Sequence, residues 1–315
     1  MTGRRTTAQL GRAGKIRFLA EKIIALPTLP AVVAKLMELV DSPKTSARIL
    51  ARLVEGDQVL TARVLKLANS AYYGYQRQVA TVPLAIVVVG FDAVKDMGLS
   101  VSVMDSFKDD LDTPHFSLSK FWEHAISVGV GTQMLCRRYA PEFLGESFAA
   151  GLLHDLGKIV LNHYLHEDFV EILERVYEEG MDLLEAESLV LDATHDRIGG
   201  WLADKWNMPY PIVKAIEFHH HPFLADKYQP LAAMVKLADH LSRVWRIGLS
   251  GNAHDPQFSA EDVEYYAKLG VDISEAALSI VREEFLVHLE KSGGFINIIK
   301  GEELPETDAE IKPSV

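Results

Sequence analysis

Apolar residues recur at helical spacing through almost the whole chain, and this pattern limits the possible folds more than any other feature. Residues 31–40 place five aliphatic side chains on one face, and Leu60, Val64 and Leu67 continue the pattern up to Asn69. The same spacing predicts further helices at 117–138, 142–162, 166–178, 194–206, 210–220, 228–246, 260–268 and 273–291. Neither an Asn-Gly hairpin nor an alternating strand pattern interrupts these segments. The sequence therefore predicts an all-α fold.

Two of the predicted helices carry their own start signals. Asp57 stands where a carboxylate can cap the helix that contains Leu60. The run 86–89 has the composition of a buried strand, but Thr81 followed by Pro83 is typical of a helix start. Because the sequence offers no partner strand nearby, we predict a helix here as well.

The composition excludes several classes of protein and of site. The chain has 315 residues, and its apolar runs are far shorter than the roughly 20 residues that span a bilayer. Its start lacks the apolar core of a secretory signal, so we expect a cytoplasmic protein. Cys136 is the only cysteine, which excludes an internal disulfide and a cysteine-built zinc site. The net charge of -12 argues against broad nucleic-acid binding.

Imidazole and carboxylate groups recur along the predicted helices at intervals that suit a helical metal cage. Imidazole nitrogen and carboxylate oxygen are donors that many divalent ions accept, and a helical bundle can direct such groups inward from several helices. The pair His154-Asp155 lies in Gly-Leu-Leu-His-Asp-Leu-Gly-Lys and is the most specific of these motifs. The seven candidate metal ligands are His124, His154, Asp155, His195, His219, His220 and Asp239.

Two residues of the His154-Asp155 motif have further predicted roles. Adjacent residues diverge by about 100° around a helix, so Asp155 can bind an ion beside His154 and reach a second ion with its other oxygen. Lys158 lies one turn after His154, where its ammonium can meet an anionic oxygen held by the ions. Asp155 and Lys158 are therefore the candidate catalytic residues.

Each candidate ligand also has an ordinary structural explanation. A lone histidine such as His124 on an apolar helix is more often a core or surface residue than a ligand. His195 can occupy a first helical turn, and Asp239 can be an ordinary charge. We keep that explanation for four other histidines, which are His163, His166, His240 and His254. Coincidence explains the seven candidates poorly when they are taken together.

The order of these residues resembles that of a known superfamily. His124, His154-Asp155 and Asp239 follow the ligand order of the HD-superfamily metal-dependent phosphohydrolases, and His195 with His219-His220 resembles the second-metal ligands of the HD-GYP branch. The N-terminal half is similar to the HDOD domain, a bacterial signalling module. That similarity lies in Leu-Pro-Thr-Leu-Pro (26–30), in residues 57–74 and in residues 85–90.

The resemblance implies two metal positions that share Asp155. One would be bound by His124, His154, Asp155 and Asp239, and the other by Asp155, His195, His219 and His220. The chain departs from the HD-GYP pattern because His221-Pro222 follows the double histidine in place of Gly-Tyr-Pro, and because Lys120 stands where some HD-GYP proteins have an extra ligating glutamate. We therefore expect two ions, of iron, manganese, zinc or nickel, and carry over no cyclic-dinucleotide specificity.

The resemblance leaves two functions open. The HDOD similarity favours a signalling module that binds a protein partner and uses the metal site as structural core or ligand sensor. The alternative is a metal-dependent phosphohydrolase or phosphodiesterase that acts on a small phosphorylated or nucleotide substrate.

The predicted organisation has four parts. They are an N-terminal helical part at 15–112, an HD-type metal-site part at 113–247, a helical extension at 248–300 and an acidic, mobile tail at 301–315. The candidate partner contacts lie in the first part, where aromatic packing at a helix end explains them somewhat better than a binding site. They are Asn69, Tyr72, Tyr73 and Tyr75.

Overall fold

The described residues form α-helices and short 3-10 helices. The computed structural model describes residues 11–25, 35, 47–69, 78–107, 112–253 and 255–300, and these contain no β-strand. The α-helices are α1 (Arg12–Ala25), α2 (Ala47–Glu55), α3 (Gln58–Ala68), α4 (Val82–Val89), α5 (Phe91–Ser106), α6 (Leu118–Tyr139), α7 (Leu144–Leu153), α8 (Leu156–Tyr164), α9 (His166–Glu178), α10 (Leu183–Leu191), α11 (His195–Lys205), α12 (Tyr210–Phe218), α13 (Gln229–Val244), α14 (Ala260–Lys268) and α15 (Glu275–Lys300). The predicted all-α class is confirmed.

The local start signals work as the sequence predicts. The Asp57 carboxylate accepts a hydrogen bond from the Leu60 backbone nitrogen at 3.0 Å and so caps α3. Pro83 lies in the first turn of α4, where its missing N–H leaves no helical hydrogen bond unmade. The run 86–89 is therefore helical and not a strand.

The structure departs from the predicted segments in six places. The segment 142–162 is two helices, because α7 ends at Leu153 and α8 begins at Leu156. The last helix extends to Lys300, past the predicted end at 291. Four helices, α1, α2, α5 and α10, fall in stretches for which no individual helix was predicted. The segment 31–40, apart from residue 35, lies outside the described residues, as does the tail at 301–315.

Helix α6 occupies the centre of the molecule, with α7 and α13 packed against it. The last helix, α15, contacts α6 and also the N-terminal helices α3 and α5. Its Phe285 is fully buried against Gly131 of α6, where a Cβ would stand 2.6 Å from the phenyl ring. Helix α14 is joined to α13 by a hydrogen bond from the Tyr266 hydroxyl to the Ala233 carbonyl at 3.0 Å. The C-terminal helices are thus built into the same core.

A pair of buried charges, Lys95 and Asp96, joins α5 to α6 and α7. The Lys95 ammonium donates to the Gly145 carbonyl at 3.0 Å and lies 3.6 Å from an Asp96 oxygen. Gln133 of α6 donates to the other Asp96 oxygen at 3.0 Å. Burial raises the pKa of Asp96 to about 6, although Lys95 opposes this rise. We call this group the Lys95–Asp96 pair.

None of the helices within the described ranges is both long enough and apolar enough to cross a membrane.

Candidate metal centre

The structure brings all seven candidate ligands to one buried place at the centre of the helical bundle. They come from α6, from the turn between α7 and α8, from the first residue of α11, from the end of α12 and from α13. Six are buried and His220 is half-buried. We call this set the His/Asp cluster, and it comprises His124, His154, Asp155, His195, His219, His220 and Asp239.

A break in the helix at residues 154 and 155 sets the direction of the two central ligands. Residue 155 has φ −98° and ψ 9°, which ends the regular helix. The backbone nitrogen of Lys158 donates to the Asp155 carbonyl at 2.9 Å where α8 begins. The following Gly157 lies against the first residue of α11, where a Cβ would stand 1.9 Å from the His195 carbonyl oxygen. Only glycine permits this approach, and the approach brings His195 to Asp155.

His124, His154 and Asp239 form the first group within the cluster. The His124 Nε2 and Asp239 Oδ1 atoms lie 3.0 Å apart, and His154 Nε2 lies 3.7 Å from the same oxygen. All three atoms are buried without a hydrogen-bond partner. Buried polar atoms are seldom left in this way, because each costs about 1–3 kcal/mol.

His195, His219 and His220 form the second group. The Nε2 atoms of His195 and His220 lie only 2.9 Å apart. His195 Nε2 is 3.1 Å from Asp155 Oδ1, and His219 Nε2, which has no hydrogen-bond partner, is 3.8 Å from that oxygen. Three imidazole nitrogens and one carboxylate oxygen therefore face a common point.

Asp155 lies between the two groups. Its Oδ1 atom faces His195 and His219, whereas its Oδ2 atom lies 3.3 Å from His154 Nε2. Its two oxygens therefore face different groups, and the bridging of two ions by Asp155 stays a prediction.

The outer nitrogens of the rings fix how the inner nitrogens point. His154 Nδ1 is 2.7 Å from the Gly151 carbonyl, and His219 Nδ1 is 2.8 Å from the Ile216 carbonyl. A carbonyl can only accept, so each Nδ1 carries the proton and donates it. In the neutral ring this leaves the Nε2 lone pair free to bind a metal, which is the usual arrangement of metal-binding histidines.

Strong electrostatic coupling within the cluster shifts several pKa values. Burial is the largest single influence on the pKa of His154 and lowers it, but the carboxylates of Asp155 and Asp239 together raise that pKa to about 9. Burial likewise lowers the pKa of His195, and the carboxylates of Glu187 and Asp155 together raise it to about 9. Burial and the His154 charge lower the pKa of His219 to about 4. The carboxylates thus attract positive charge to this place.

These observations fit a divalent metal ion. Two donor atoms bound at about 2.1 Å lie about 3.0 Å apart around an octahedral ion and about 3.4 Å apart around a tetrahedral one. The 3.0 Å between His124 Nε2 and Asp239 Oδ1 and the 3.1 Å between His195 Nε2 and Asp155 Oδ1 fit this range. The partnerless atoms of His124, His154, His219 and Asp239 all lie within the cluster and would gain a partner. The donor set of nitrogens and carboxylate oxygens suits ions such as zinc, manganese or iron.

Lys158 is fully buried and is already held by two oxygens. Its Nζ donates to Asp155 Oδ2 at 2.6 Å and to the Ser250 carbonyl at 2.9 Å. The sequence predicts an ammonium that meets an oxygen of a bound ligand. In this structure the Ser250 carbonyl takes that place.

Ser250 belongs to a segment that crosses over the cluster, residues 247–253, which we call the strap. Gly248 has φ +71° and lies so close to α6 that a Cβ would stand 2.3 Å from the backbone nitrogen of His124. The Leu249 nitrogen donates to the Lys120 carbonyl at 3.0 Å. These contacts and the Lys158 bond hold the strap closed over the cluster.

A cavity of about 350 Å³ lies between the strap and α13. His124 forms part of its wall, together with Arg243, Arg246 and Tyr177. The Arg243 guanidinium is 3.6 Å from Asp239 Oδ2, so a cationic group stands beside the first group of ligands.

The cluster has one buried partner that the sequence analysis missed. Glu187 of α10 is completely buried and contacts the Nδ1 atom of His195 with both carboxylate oxygens, at 2.8 and 2.9 Å. No motif marks this glutamate, and α10 itself was not predicted. Asp182 caps α10 by accepting hydrogen bonds from the backbone nitrogens of Leu184 and Glu185. This cap and the apolar run that follows it are the local signal that could have indicated the helix.

The candidate partner contacts in the N-terminal part are only partly described. The Asn69 amide donates to the carbonyls of Leu65 and Val79, and its oxygen accepts from the Val79 nitrogen at 2.7 Å. Asn69 therefore joins the end of α3 to Val79, shortly before α4. Tyr72, Tyr73 and Tyr75 lie outside the described residues.

The family of the chain follows from comparison with known proteins. The HDOD domain family matches residues 26–222, which is more than half of the chain. The chain belongs to the HDOD family. The HDOD match contains six of the seven candidate ligands and ends before Asp239.

Similar structures extend over most of this HDOD protein. An HDOD domain protein of unknown function from Geobacter sulfurreducens is 26% identical, with a TM-score of 0.68 over 90% of this chain and 95% of that one. A protein of Marinobacter aquaeolei VT8, 21% identical, has a TM-score of 0.73 over 92% of this chain and 66% of that one and shows the same fold. An uncharacterized protein of Treponema pallidum (strain Nichols) is 26% identical over 70% of this chain, and the matched part spans 43% of that protein.

Proposed function

We propose that this HDOD protein is a signalling module whose His/Asp cluster binds two divalent ions and forms its structural and sensing centre. The observation that carries the proposal is the set of buried, partnerless donor atoms on His124, His154, His219 and Asp239. Bound cations would offset the cost of burying these atoms and the carboxylates beside them.

The closed state of the site supports a sensor over an open catalytic centre. His124, His154, Asp155, His195 and His219 are at most 1% exposed, and Lys158 is held by the strap. The Marinobacter aquaeolei protein, which shares the fold, is described as a candidate signal transduction protein. In this proposal the N-terminal helices contact a protein partner, and the state of the cluster and strap determines the surface that the partner meets.

Metal-dependent phosphohydrolysis is a second candidate because a cavity reaches one of the ligands. The 350 Å³ cavity has His124 and Arg243 in its wall, and a small phosphorylated molecule fits a space of this size. Paired ions there would activate a water and neutralise phosphate charge. Lys158 would stabilise the developing charge once it leaves the Ser250 carbonyl.

Elemental analysis and a substrate screen of the purified, metal-loaded protein test both candidates. We expect close to two ions per chain and no turnover of phosphomonoesters, phosphodiesters or cyclic nucleotides. Metal-dependent turnover that disappears in His154→Ala would establish the hydrolase instead. In that case Lys158→Ala should keep both ions and cost about 2–4 kcal/mol of transition-state stabilisation. A protein that takes up no divalent ion would refute both candidates.

A further inference from the structure

Glu187 is a buried carboxylate that serves a single neighbour. Both of its oxygens face His195 Nδ1, and Oε2 also accepts from the His195 backbone nitrogen at 2.9 Å. Its side chain comes from α10 and reaches His195, the first residue of α11, across the turn at 192–194. The three contacts fix both the backbone and the ring of one candidate ligand.

The contact with Glu187 makes the outer nitrogen of His195 chemically different from those of His154 and His219. His154 and His219 donate their outer protons to the neutral carbonyls of Gly151 and Ile216. His195 donates to a full negative charge, which makes its inner nitrogen a stronger electron donor. The second group, which otherwise holds three imidazoles and one oxygen of the shared Asp155, gains a negative charge from Glu187.

We propose that Glu187 is the positioning residue of the second metal position and makes the uptake of that ion possible. The proposal rests on the two-ion function proposed above. The carboxylate can only accept hydrogen bonds, so in the neutral ring the His195 proton stays on Nδ1 and the Nε2 lone pair faces His220 and Asp155.

Glutamine at position 187 reproduces this arrangement only in part. An amide oxygen in the place of Oε2 can still accept from the backbone N–H and from Nδ1–H, but it carries no full negative charge. The amide nitrogen then takes the place of Oε1, 2.9 Å from Nδ1, where its hydrogens oppose a proton on Nδ1 and favour the tautomer protonated on Nε2. A protonated Nε2 binds no metal, so the substitution opposes uptake at the second position.

The experiment compares metal binding by the wild type with that of Glu187→Gln and of Glu185→Gln, an exposed glutamate on the same helix. Each full-length protein is stripped and then titrated with Zn²⁺ or Mn²⁺, and bound metal is measured by elemental analysis. We expect two ions in the wild type and in Glu185→Gln. In Glu187→Gln the first ion should bind as before and the second about 10–100-fold more weakly. Two ions of unchanged affinity in Glu187→Gln would overturn the inference.

The melting temperature separates positioning from simple capping of α11. Positioning predicts that Glu187→Gln lowers the metal-dependent rise in melting temperature and that Glu187→Asp, which keeps the charge, restores part of it. If both variants lower the melting temperature of stripped and loaded protein equally, or fail to fold with excess Zn²⁺, Glu187 is a structural residue and the inference fails. A wild type that binds no ion refutes the two-ion function itself, whereas two tight ions in Glu187→Gln refute only the role of Glu187.

Discussion

The His/Asp cluster and the Lys95–Asp96 pair are both buried polar groups, but they reach electrical balance in different ways. Lys95 and Asp96 lie 3.6 Å apart as opposite charges and hydrogen-bond to Gly145 and Gln133, and one atom of the pair, Asp96 Oδ1, has no hydrogen-bond partner. Within the His/Asp cluster, four inner atoms have no hydrogen-bond partner, while outer ring nitrogens are held by Gly151, Ile216 and Glu187. One partnerless oxygen beside an ammonium therefore marks a structural ion pair, whereas four partnerless atoms on rings that are fixed from outside mark a place for cations.

Substitution of Lys158 should have the largest effect on the free energy of unfolding, and this effect should depend on whether metal is bound. Lys158→Met removes the 2.6 Å partner of Asp155 and leaves the neighbouring rings of His154 and His195 to compensate this buried carboxylate. In metal-free protein we expect a loss of about 3–5 kcal/mol in the free energy of unfolding. In loaded protein the loss should be smaller because bound ions neutralise Asp155. Urea unfolding with and without chelator measures both values, and equal losses would mean that the cluster does not depend on cations.

Removal of a ligand should have the next largest effect. His154→Ala should remove the share of the metal-dependent stabilisation that the first ion supplies, which is about 3–4 kcal/mol per ion when free metal exceeds the dissociation constant 100- to 1,000-fold. The control is His166→Ala, since the His166 ring contacts Asn162 at 2.8 Å and lies outside the cluster. Melting curves before and after chelation give the result, and a chelation effect in His154→Ala as large as that of the wild type would contradict the ligand assignment.

The Lys95–Asp96 pair should respond to pH and not to metal. The pKa of Asp96 is raised from 3.8 to about 6, so the folded protein favours the protonated acid. The resulting stability is present below about pH 4 and is lost as the pH rises through about 6, a change of about 2–3 kcal/mol between pH 4 and pH 7. Asp96→Asn should remove this change when both proteins are unfolded in the presence of chelator. A pH response identical in the two proteins would show that Asp96 does not carry it.

Substitution of Asn69 should have the smallest effect on the free energy of unfolding, and it serves as a reference because Asn69 lies outside both groups. Asn69→Ala removes the hydrogen bonds to Leu65 and Val79, and we expect a loss of about 1–2 kcal/mol in the free energy of unfolding. Metal content should not change. If the variant instead keeps its stability but loses a protein partner, Asn69 acts as the partner contact that the sequence suggested and not as a structural link to Val79.

Local chemistry made part of this structure predictable. The Asp57 cap and the Pro83 start are encoded within a few neighbouring residues, and both predictions hold in the structure. The break at residues 154 and 155 was missed because the apolar spacing continues through it, and its cause is the contact of Gly157 with His195, 38 positions later in the chain.

The candidate site shows the same limit. Its seven ligand types and their order could be read from the sequence, and the structure places them together, although metal binding stays a prediction. Glu187 was missed because α10 was not predicted. Its position on the same helix face as Leu183, Val190 and Leu191 indicates burial, but no local signal connects that face to His195. The partner of Lys158 could not be predicted either, since the Ser250 carbonyl lies 92 residues further along the chain.

The strap has a consequence for the rate at which ions exchange. An ion that leaves the cluster past the strap must first open the Lys158 bond to Ser250 and the Leu249 bond to Lys120. Exchange by this route is then slower than the strength of the metal bonds alone would make it. We expect an ion captured while the chain folds to exchange slowly, so that the metal in freshly isolated protein reflects the supply at synthesis more than the composition of the buffer.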